Sequence, residues 1–359
     1  MTYSLKVKTF ILLYFIALSY GIAQEQRKYK IRTIAFYNVE NLFDTINDPN
    51  TFDDDRTPLG KDNWTSNKYY HKLNQLAHVI TNIGAEVSNT SPDIIGLCEV
   101  ESKLVLKDLI ARPQLIDKNY GIVHFDSPDE RGIDVALLYK KKTFVPTSFK
   151  SHRLLLFNAD GERDYTRDQL VVGGMLDTEQ FYFIINHWPS RSGGEARSKP
   201  GRMAAAKLNK RIIDSISKFD SSAKIMSMGD FNDDPTSDSF KKVLKTIGKK
   251  KKLEKGTLFN PMERLYKKGE GSLAYRDKWN LFDQYFFTDN LISTNKQTYS
   301  FWKANIFSPK YLHNSSGKYK GYPARTYAGG SYNAQGFSDH FPVFVHLIKE
   351  VPTNITQGN

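Results

Sequence analysis

The sequence predicts an α/β protein built from layers of strands and helices. Two observations carry this. Short apolar, β-rich runs recur from Thr33 to Leu347, with a few stretches of helical periodicity between them. The polar residues able to do chemistry fall just beyond the ends of those runs, at Asn38, Glu99, His187, Asp230, Asn232 and the pair Asp339-His340. Side chains carried at the rim of a rigid sheet are held with the precision a reactive site needs. No Pro/Gly/Ser-rich linker and no internal repeat divides the chain. That points to one domain over residues 24–350, followed by a tail at 351–359.

Residues 1–23 stand apart. Lys6 and Lys8 precede the apolar run Phe10 to Leu18, and small residues follow at Gly21 and Ala23. This is the pattern of a secretory signal peptide cleaved near Ala23, and the run is short of the ~20 residues that span a bilayer. The expected destination is the medium or a periplasm.

Thr33 to Tyr37 reads as the first strand, ending in Asn38-Val39-Glu40-Asn41. Residues 44–66 are polar and aperiodic, a surface loop whose Asp53-Asp54-Asp55 lacks calcium-loop spacing. Leu73, Leu76, Ile80, Ile83 and Val87 mark a helix from about Asn67 to Val87. Ile94 to Cys98 is a buried strand leading to Glu99, and a short helix from Lys103 stops before Pro113. Further strands are read at Ile133 to Tyr139, Leu154 to Phe157, Leu170 to Leu176 and Phe181 to Ile185. The last of these delivers Asn186-His187-Trp188-Pro189-Ser190-Arg191, and a glycine- and charge-rich loop follows. A helix is predicted from Met203 to Phe219, a strand from Ile225 to Met228 and a helix after Pro235. Gly229 is expected to let the chain turn, so that Asp230 and Asn232 stand side by side at a strand end. Leu281 to Phe287 is a strand carrying Asp283, residues 296–336 form an aromatic loop, and Val343 to Leu347 is the last strand.

The composition, 25% charged and 40% apolar in 359 residues, is that of a globular protein. Cys98 is the only cysteine, so no intrachain disulfide forms, and its apolar surroundings make it a small buried hydrophobe. The formal charge is +12, of which signal cleavage removes the two charges of Lys6 and Lys8. A basic chain suits a polyanion, an anionic surface or a phosphorylated substrate.

Glu99, Asp230 and Asp339 offer hard carboxylate oxygens, and Asn38 and Asn232 neutral ones. Magnesium takes a few carboxylates, waters and substrate phosphate oxygens. The sequence has no Cys/His cluster for zinc, no HExxH, no glycine-rich GK[ST] loop and no GxSxG. A carboxylate, amide and histidine set with Mg²⁺ points to water attacking phosphorus in line. Histidine then either donates to phosphoryl oxygens or accepts the nucleophile's proton, and Asp283 is the natural partner to orient His340.

These residues carry a resemblance. Phe36-Tyr37-Asn38-Val39-Glu40-Asn41, Gly96-Leu97-Cys98-Glu99-Val100, Arg131-Gly132-Ile133-Asp134-Val135-Ala136, Asn186 to Arg191, Gly229-Asp230-Phe231-Asn232, Phe282-Asp283-Gln284-Tyr285 and Ser338-Asp339-His340 stand in the order of the endonuclease/exonuclease/phosphatase superfamily. The chain resembles that superfamily, with its deoxyribonuclease-I-like fold, over residues 31–347. The resemblance implies a four-layer sandwich of two mixed β-sheets packed face to face with helices outside. It implies that Glu99, with Asn38 beside it, holds Mg²⁺ (Mn²⁺ as the substitute) and that Asp339 lies near the metal. Asp230, helped by Asn232, would activate the water. His187, and His340 oriented by Asp283, would contact the scissile phosphate. Arg131, Arg167 and Arg191 are candidates for substrate phosphate on charge and placement.

The superfamily holds nucleases, inositol-polyphosphate phosphatases, sphingomyelinases and deadenylases. Export argues against intracellular roles, and Tyr275 to Trp279 lacks the cysteine and proline of the inositol-phosphatase signature. The reading is a secreted Mg²⁺-dependent nuclease with nucleic acid as substrate. A phosphatase or phospholipase-C-like enzyme for a small or lipid phosphoester is the alternative, and a non-catalytic binding protein the third; no obligate protein partner is inferred. Trp302, Tyr311, Tyr319, Tyr322 and Tyr327 suit stacking of bases, covering of a small ester, or simple loop packing.

Overall fold

A computed structural model describes residues 27–158, 160–328 and 330–352. The expected signal peptide and residues 353–359 of the tail lie outside them. In chain order, the strands of the two large sheets and the longer helices are β1 (Lys28–Leu42), α1 (Ser66–Asn82), β2 (Ile94–Val100), α2 (Lys103–Ile110), β3 (Tyr120–His124), β4 (Asp134–Lys140), β5 (Phe144–His152), β6 (Gln169–Leu176), β7 (Glu179–His187), α3 (Glu195–Phe219), β8 (Lys224–Asp230), β9 (Leu258–Phe259), β10 (Asp283–Thr288), β11 (Ser300–Ile306) and β12 (Val343–Val351).

The first sheet has the order β11-β12-β1-β2-β4-β3 and the second β9-β10-β8-β7-β6-β5. Each holds one parallel pair at its centre, β1 with β2 and β7 with β8, and is otherwise antiparallel. Strand alternation sorts the side chains into layers. Ile34, Phe36, Phe183, Ile185, Met226 and Met228 face inward and meet between the sheets. Ala35, Tyr37, Ile95 and Leu97 face outward under Leu73, Leu76 and Ile80 of α1 and Leu106 of α2. Ile184 and Ile225 face outward under Ala205, Ile212 and Ile213 of α3. The result is the expected four-layer sandwich, and Cys98 is free and buried between the sheets.

The parallel pairs matter for function. They bring the carboxyl ends of β1, β2, β7 and β8 and the amino ends of β10 and β12 to one rim. The opposite end of the sandwich is stapled by ions. Asp177, in the turn after β6, accepts from Arg32 Nε at 2.9 Å, Lys30 Nζ at 2.7 Å and the Tyr299 hydroxyl at 2.5 Å. Glu179 of β7 accepts from Lys224 of β8 at 2.5 Å and Lys349 of β12 at 2.8 Å. Both clusters therefore tie one sheet to the other.

Burial opposes ionisation of these two carboxylates, but the hydrogen bonds from Arg32, Lys30 and Tyr299 hold Asp177 well below the usual range, and those from Lys224 and Lys349 lower Glu179. A folded-state pKa below the unfolded one gives stability that is present above the ordinary carboxylate value of ~4 and is lost as pH falls through the folded value. Urea unfolding midpoints should therefore drop more between about pH 7 and about pH 3 in the natural chain than in Asp177→Asn/Glu179→Gln. An equal drop in both would show that the staple is not a source of acid sensitivity.

Several expectations need correction. The first helix stops at Asn82, because Gly84 turns left-handed at φ 69° and starts a separate short turn, Ala85–Ser88. Helix α3 begins eight residues earlier than the periodicity suggests and runs through Pro200. Its first turns are held by Arg202, which is wholly buried and reaches Ser198 Oγ at 2.8 Å and the Glu195 carbonyl at 3.2 Å. Trp64, in the expected surface loop, is buried and donates to the Phe43 carbonyl at 3.0 Å. Gly229 stays in the strand opposite Asn186, where a Cβ would lie 2.4 Å from the Asn186 carbonyl oxygen. Its role is close approach of two strands; the chain turns at Asn232, φ 51°. The 296–336 segment begins with a true strand, β11, which carries Trp302 away from the loop.

Candidate active site

Three site residues stand abreast in the second sheet. Asp230, the last residue of β8, is in register with His187 at the end of β7 and with Asp283 at the start of β10. From the first sheet come Asn38 of β1 and Glu99, which sits on a bulge of β2 with φ 62°. A non-glycine residue held left-handed is strained, and the bulge re-aims the Glu99 carboxylate toward the rim. The loop before β12 adds Asp339 and His340, and Ser338 fixes it by donating to the Asn38 carbonyl at 2.7 Å.

Asn38 joins the two sheets. Its Nδ2 donates to Asp230 Oδ2 at 3.1 Å and to Glu99 Oε1 at 3.3 Å, while its Oδ1 accepts from the Glu40 backbone at 3.0 Å. This corrects the expectation that Asn38 holds the metal. Its oxygen faces the backbone, and its amide nitrogen keeps two carboxylates side by side. Glu99 Oε2 accepts from the Asn41 backbone at 2.9 Å. Asp230 Oδ1 accepts from the Asn232 backbone at 2.9 Å, and Asn232 Nδ2 donates to the Trp188 carbonyl at 3.0 Å. Among the described residues nothing donates to Asn232 Oδ1.

The two histidines are tuned apart. Burial, then the cations Arg167 and Arg131, push His187 well below its ordinary value, so the ring is neutral, and its Nδ1 is buried without a partner among the described residues. Burial also opposes charge on His340, but Asp283, joined by Asp230 and Asp339, more than offsets it and holds the ring well above its ordinary value. The contact is His340 Nδ1 to Asp283 Oδ2 at 2.7 Å, with Ser272 Oγ donating to the same oxygen at 2.5 Å. Burial raises Asp230 to about 7, with His340 opposing and Asp283 adding to the rise.

Asp230 Oδ2 lies 3.8 Å from His187 Nε2 and 3.9 Å from His340 Nε2, and His187 Nε2 lies 3.9 Å from Glu99 Oε1. These separations are too long for direct hydrogen bonds. They suit a single oxygen, of water or phosphoryl group, lying between the partners.

The donor set tests the metal expectation. Glu99 and Asp339 bring hard oxygens with 13% and 32% of their side chains exposed, and Asp230 is joined to Glu99 through the Asn38 amide. Such a set fits a hard divalent cation. Asp230, Asp283 and His340 also lie within 4.8 Å of one another, but Asp283 and His340 are committed to each other and Ser272, so that trio is an oriented imidazole.

Of the three arginines, only Arg131 is free to meet a substrate among the described residues, where its single ion pair, to Asp129, is long at 3.7 Å. Arg167 is a correction. It is buried behind His187 and donates to Asp129 at 2.8 Å and to the Trp188 carbonyl at 2.8 Å. Arg191 is another. It stacks on the Phe282 ring at 4.5 Å and donates to the Asn232 carbonyl at 2.9 Å and Asp233 at 3.3 Å. Both shape the site from behind. Arg325 escaped the sequence reading. It pairs with Asp339 at 2.5 Å and faces Glu40 at 3.7 Å, and its place in an aperiodic loop gave no signal. Ser272 and Asp233 were likewise unmarked, although Asp233 directly follows Asn232.

No curated protein matches the sequence. An endonuclease/exonuclease/phosphatase family protein from Bacteroides thetaiotaomicron is 17% identical with TM-score 0.53, covering 90% of this chain and 100% of that one. A mannosyl-6-phosphatase from Bacteroides thetaiotaomicron is 18% identical with TM-score 0.50, covering 88% and 99%. D. rerio TDP2 complexed with a single-strand DNA product is 13% identical with TM-score 0.50, covering 89% and 99%. At these identities the likeness is one of fold. The model of the Endonuclease/Exonuclease/phosphatase family matches residues 33–349. The chain belongs to this family and is a metal-dependent phosphoesterase.

Proposed function

We propose that the chain is an exported, Mg²⁺-dependent nuclease that hydrolyses phosphodiester bonds. The observation that carries this is the spacing of Asp230 Oδ2 from His187 and His340, with Glu99 alongside. Glu99 and Asp339 would hold Mg²⁺, and Asn38 keeps Glu99 in place. The ion, when bound, neutralises charge on the phosphoryl oxygens and acidifies water. Asn232 Oδ1 orients the attacking water and Asp230 takes its proton as the new P–O bond forms. The ester P–O bond opposite breaks, and its oxygen departs as the alcohol with a proton from solvent, to which Asp230 then returns the proton it took. His340 donates Nε2–H to a non-bridging oxygen, and Asp283 keeps that proton on the correct side of the ring. His187 supports the same oxygens, and Arg131 receives an outer phosphate. The net positive charge supports a polyanionic substrate.

The test uses the mature chain from Gln24 with bis-p-nitrophenyl phosphate and with linear single-stranded DNA, each in Mg²⁺ and in EDTA. Both should be hydrolysed only with Mg²⁺, and Glu99→Gln should lower the rate more than about 100-fold. Intact DNA beside dephosphorylated mannose 6-phosphate would replace the nuclease reading with the small-ester one.

A further inference from the structure

Beside the rim lies a cavity of about 470 Å³. One wall is the hairpin Leu273–Tyr275 with Lys278–Asn280, the other the segment from Asn314 to Arg325, and Asp339 lies where cavity and site meet. The hairpin turns through Arg276 and Asp277, both left-handed at φ 49° and 61°. A two-residue turn of this hand favours Asn-Gly, because a Cβ is crowded there. Arg-Asp costs more, and such strain persists where surrounding contacts hold it. Tyr322 provides those contacts. Its hydroxyl donates to Asp277 Oδ1 at 2.5 Å and accepts from the Asp277 backbone at 2.7 Å.

The turn lays the Arg276 guanidinium over the Tyr275 ring, 5.2 Å from its centroid. On the other wall Lys318 Nζ lies 5.6 Å from the centroid of Tyr319, which packs on Tyr322. Tyr275 is 63% exposed and Tyr319 51%. Arg325 is spent on Asp339 and Glu40, but among the described residues Arg276 and Lys318 are in no ion pair. The other aromatics of the loop play no part here. Tyr311 packs on Phe337, and Tyr327 packs on Trp64 and donates to the Asp62 carbonyl.

Exposed rings flanked by unpaired cations suit a flat ligand that carries phosphate. The volume lies toward the small end of the ~300–1,000 Å³ range of ligand pockets, room for one unit of a chain. We propose that this cavity receives a single terminal nucleotide, its base on Tyr319 and Tyr275 and its phosphate between Arg276 and Lys318. The enzyme would then remove end residues from a strand and leave closed DNA uncut. The proposal rests on the nuclease reading and names its substrate end.

Two measurements test it. Calorimetry with thymidine 5′-monophosphate, mannose 6-phosphate and inorganic phosphate reads the pocket without turnover. Thymidine 5′-monophosphate should bind at least about 10-fold more tightly than the other two; Tyr319→Ala should weaken it about 10-fold while sparing inorganic phosphate, and Arg276→Ala should weaken both about 10-fold. Equal binding by the variants, or preference for mannose 6-phosphate, overturns the proposal. The second measurement compares a closed circular plasmid with an end-labelled linear single strand. Loss of the end label with an intact circle supports the pocket's role, and nicking of the circle overturns it. Failure of the nuclease reading shows separately, as no hydrolysis of bis-p-nitrophenyl phosphate, while nucleotide binding still decides the pocket.

Discussion

Asp230→Asn should lower kcat by about 10³-fold on any phosphodiester while KM changes little. The carboxamide keeps the shape of the side chain but cannot take a proton from water. Its structural effect should be small, for two opposed reasons. Asp230 accepts from Asn232 N and from Asn38 Nδ2 through its two oxygens, and an amide retains only one acceptor, so one bond is lost at about 1 kcal/mol. Against that, the site no longer holds a buried carboxylate, whose burial already raises its pKa to about 7. The thermal midpoint should stay within about 2 °C of the parent. A midpoint that falls steeply together with activity would make Asp230 a structural residue and remove the base from the mechanism. His340→Ala is a weaker test, because it also unpairs Asp283, which has one oxygen already buried without a partner.

The legibility of this fold follows burial. The eight interior strands, β12, β1, β2 and β4 in one sheet and β10, β8, β7 and β6 in the other, are covered on both faces and stand out as apolar runs. The four edges, β3, β5, β9 and β11, did not stand out. β5 carries Pro146, Ser148 and Lys150 with most of its residues at least partly exposed, and β11 carries Trp302 and Lys303 at the surface. Edges blunted by proline and lysine avoid pairing with another chain, and the same residues erase the strand signal. The site was legible for a related reason. His187 and Asp230 end interior strands, and Asn38 and Glu99 stand at irregularities near the ends of two others, where a polar residue after an apolar run is conspicuous. Residues that act through tertiary contacts were not legible. The charge of Arg167 and Arg191 is visible in sequence, but their commitment to Asp129, Trp188 and Asp233 belongs to the folded chain.

The strongest such hidden contact yields the second large prediction. Arg202, in what reads as a loop, donates from Nε to Asp233 Oδ1 at 2.7 Å and is wholly buried. Asp233 in turn accepts from Ser239 Oγ at 2.7 Å and directly follows Asn232. One guanidinium therefore holds both the start of α3 and the far side of the catalytic turn. Arg202→Ala leaves the Asp233 carboxylate buried with the Ser239 hydroxyl and, at 3.3 Å, the Arg191 cation to face it. The expected cost is about 3 kcal/mol, the low end for breaking a buried pair, because that second cation remains. Activity should fall as well, through looser placement of Asn232 and Asp230. Arg202→Met with Asp233→Asn removes both charges and fills the space, and should recover most of the stability, since a well-packed apolar replacement of a buried pair is often neutral. Urea unfolding of the single and double variants measures the coupling. A cost below about 1 kcal/mol for Arg202→Ala would show that the pair is dispensable to the fold. Recovered stability without recovered kcat would show that the charge pair aims the catalytic turn in addition to holding it.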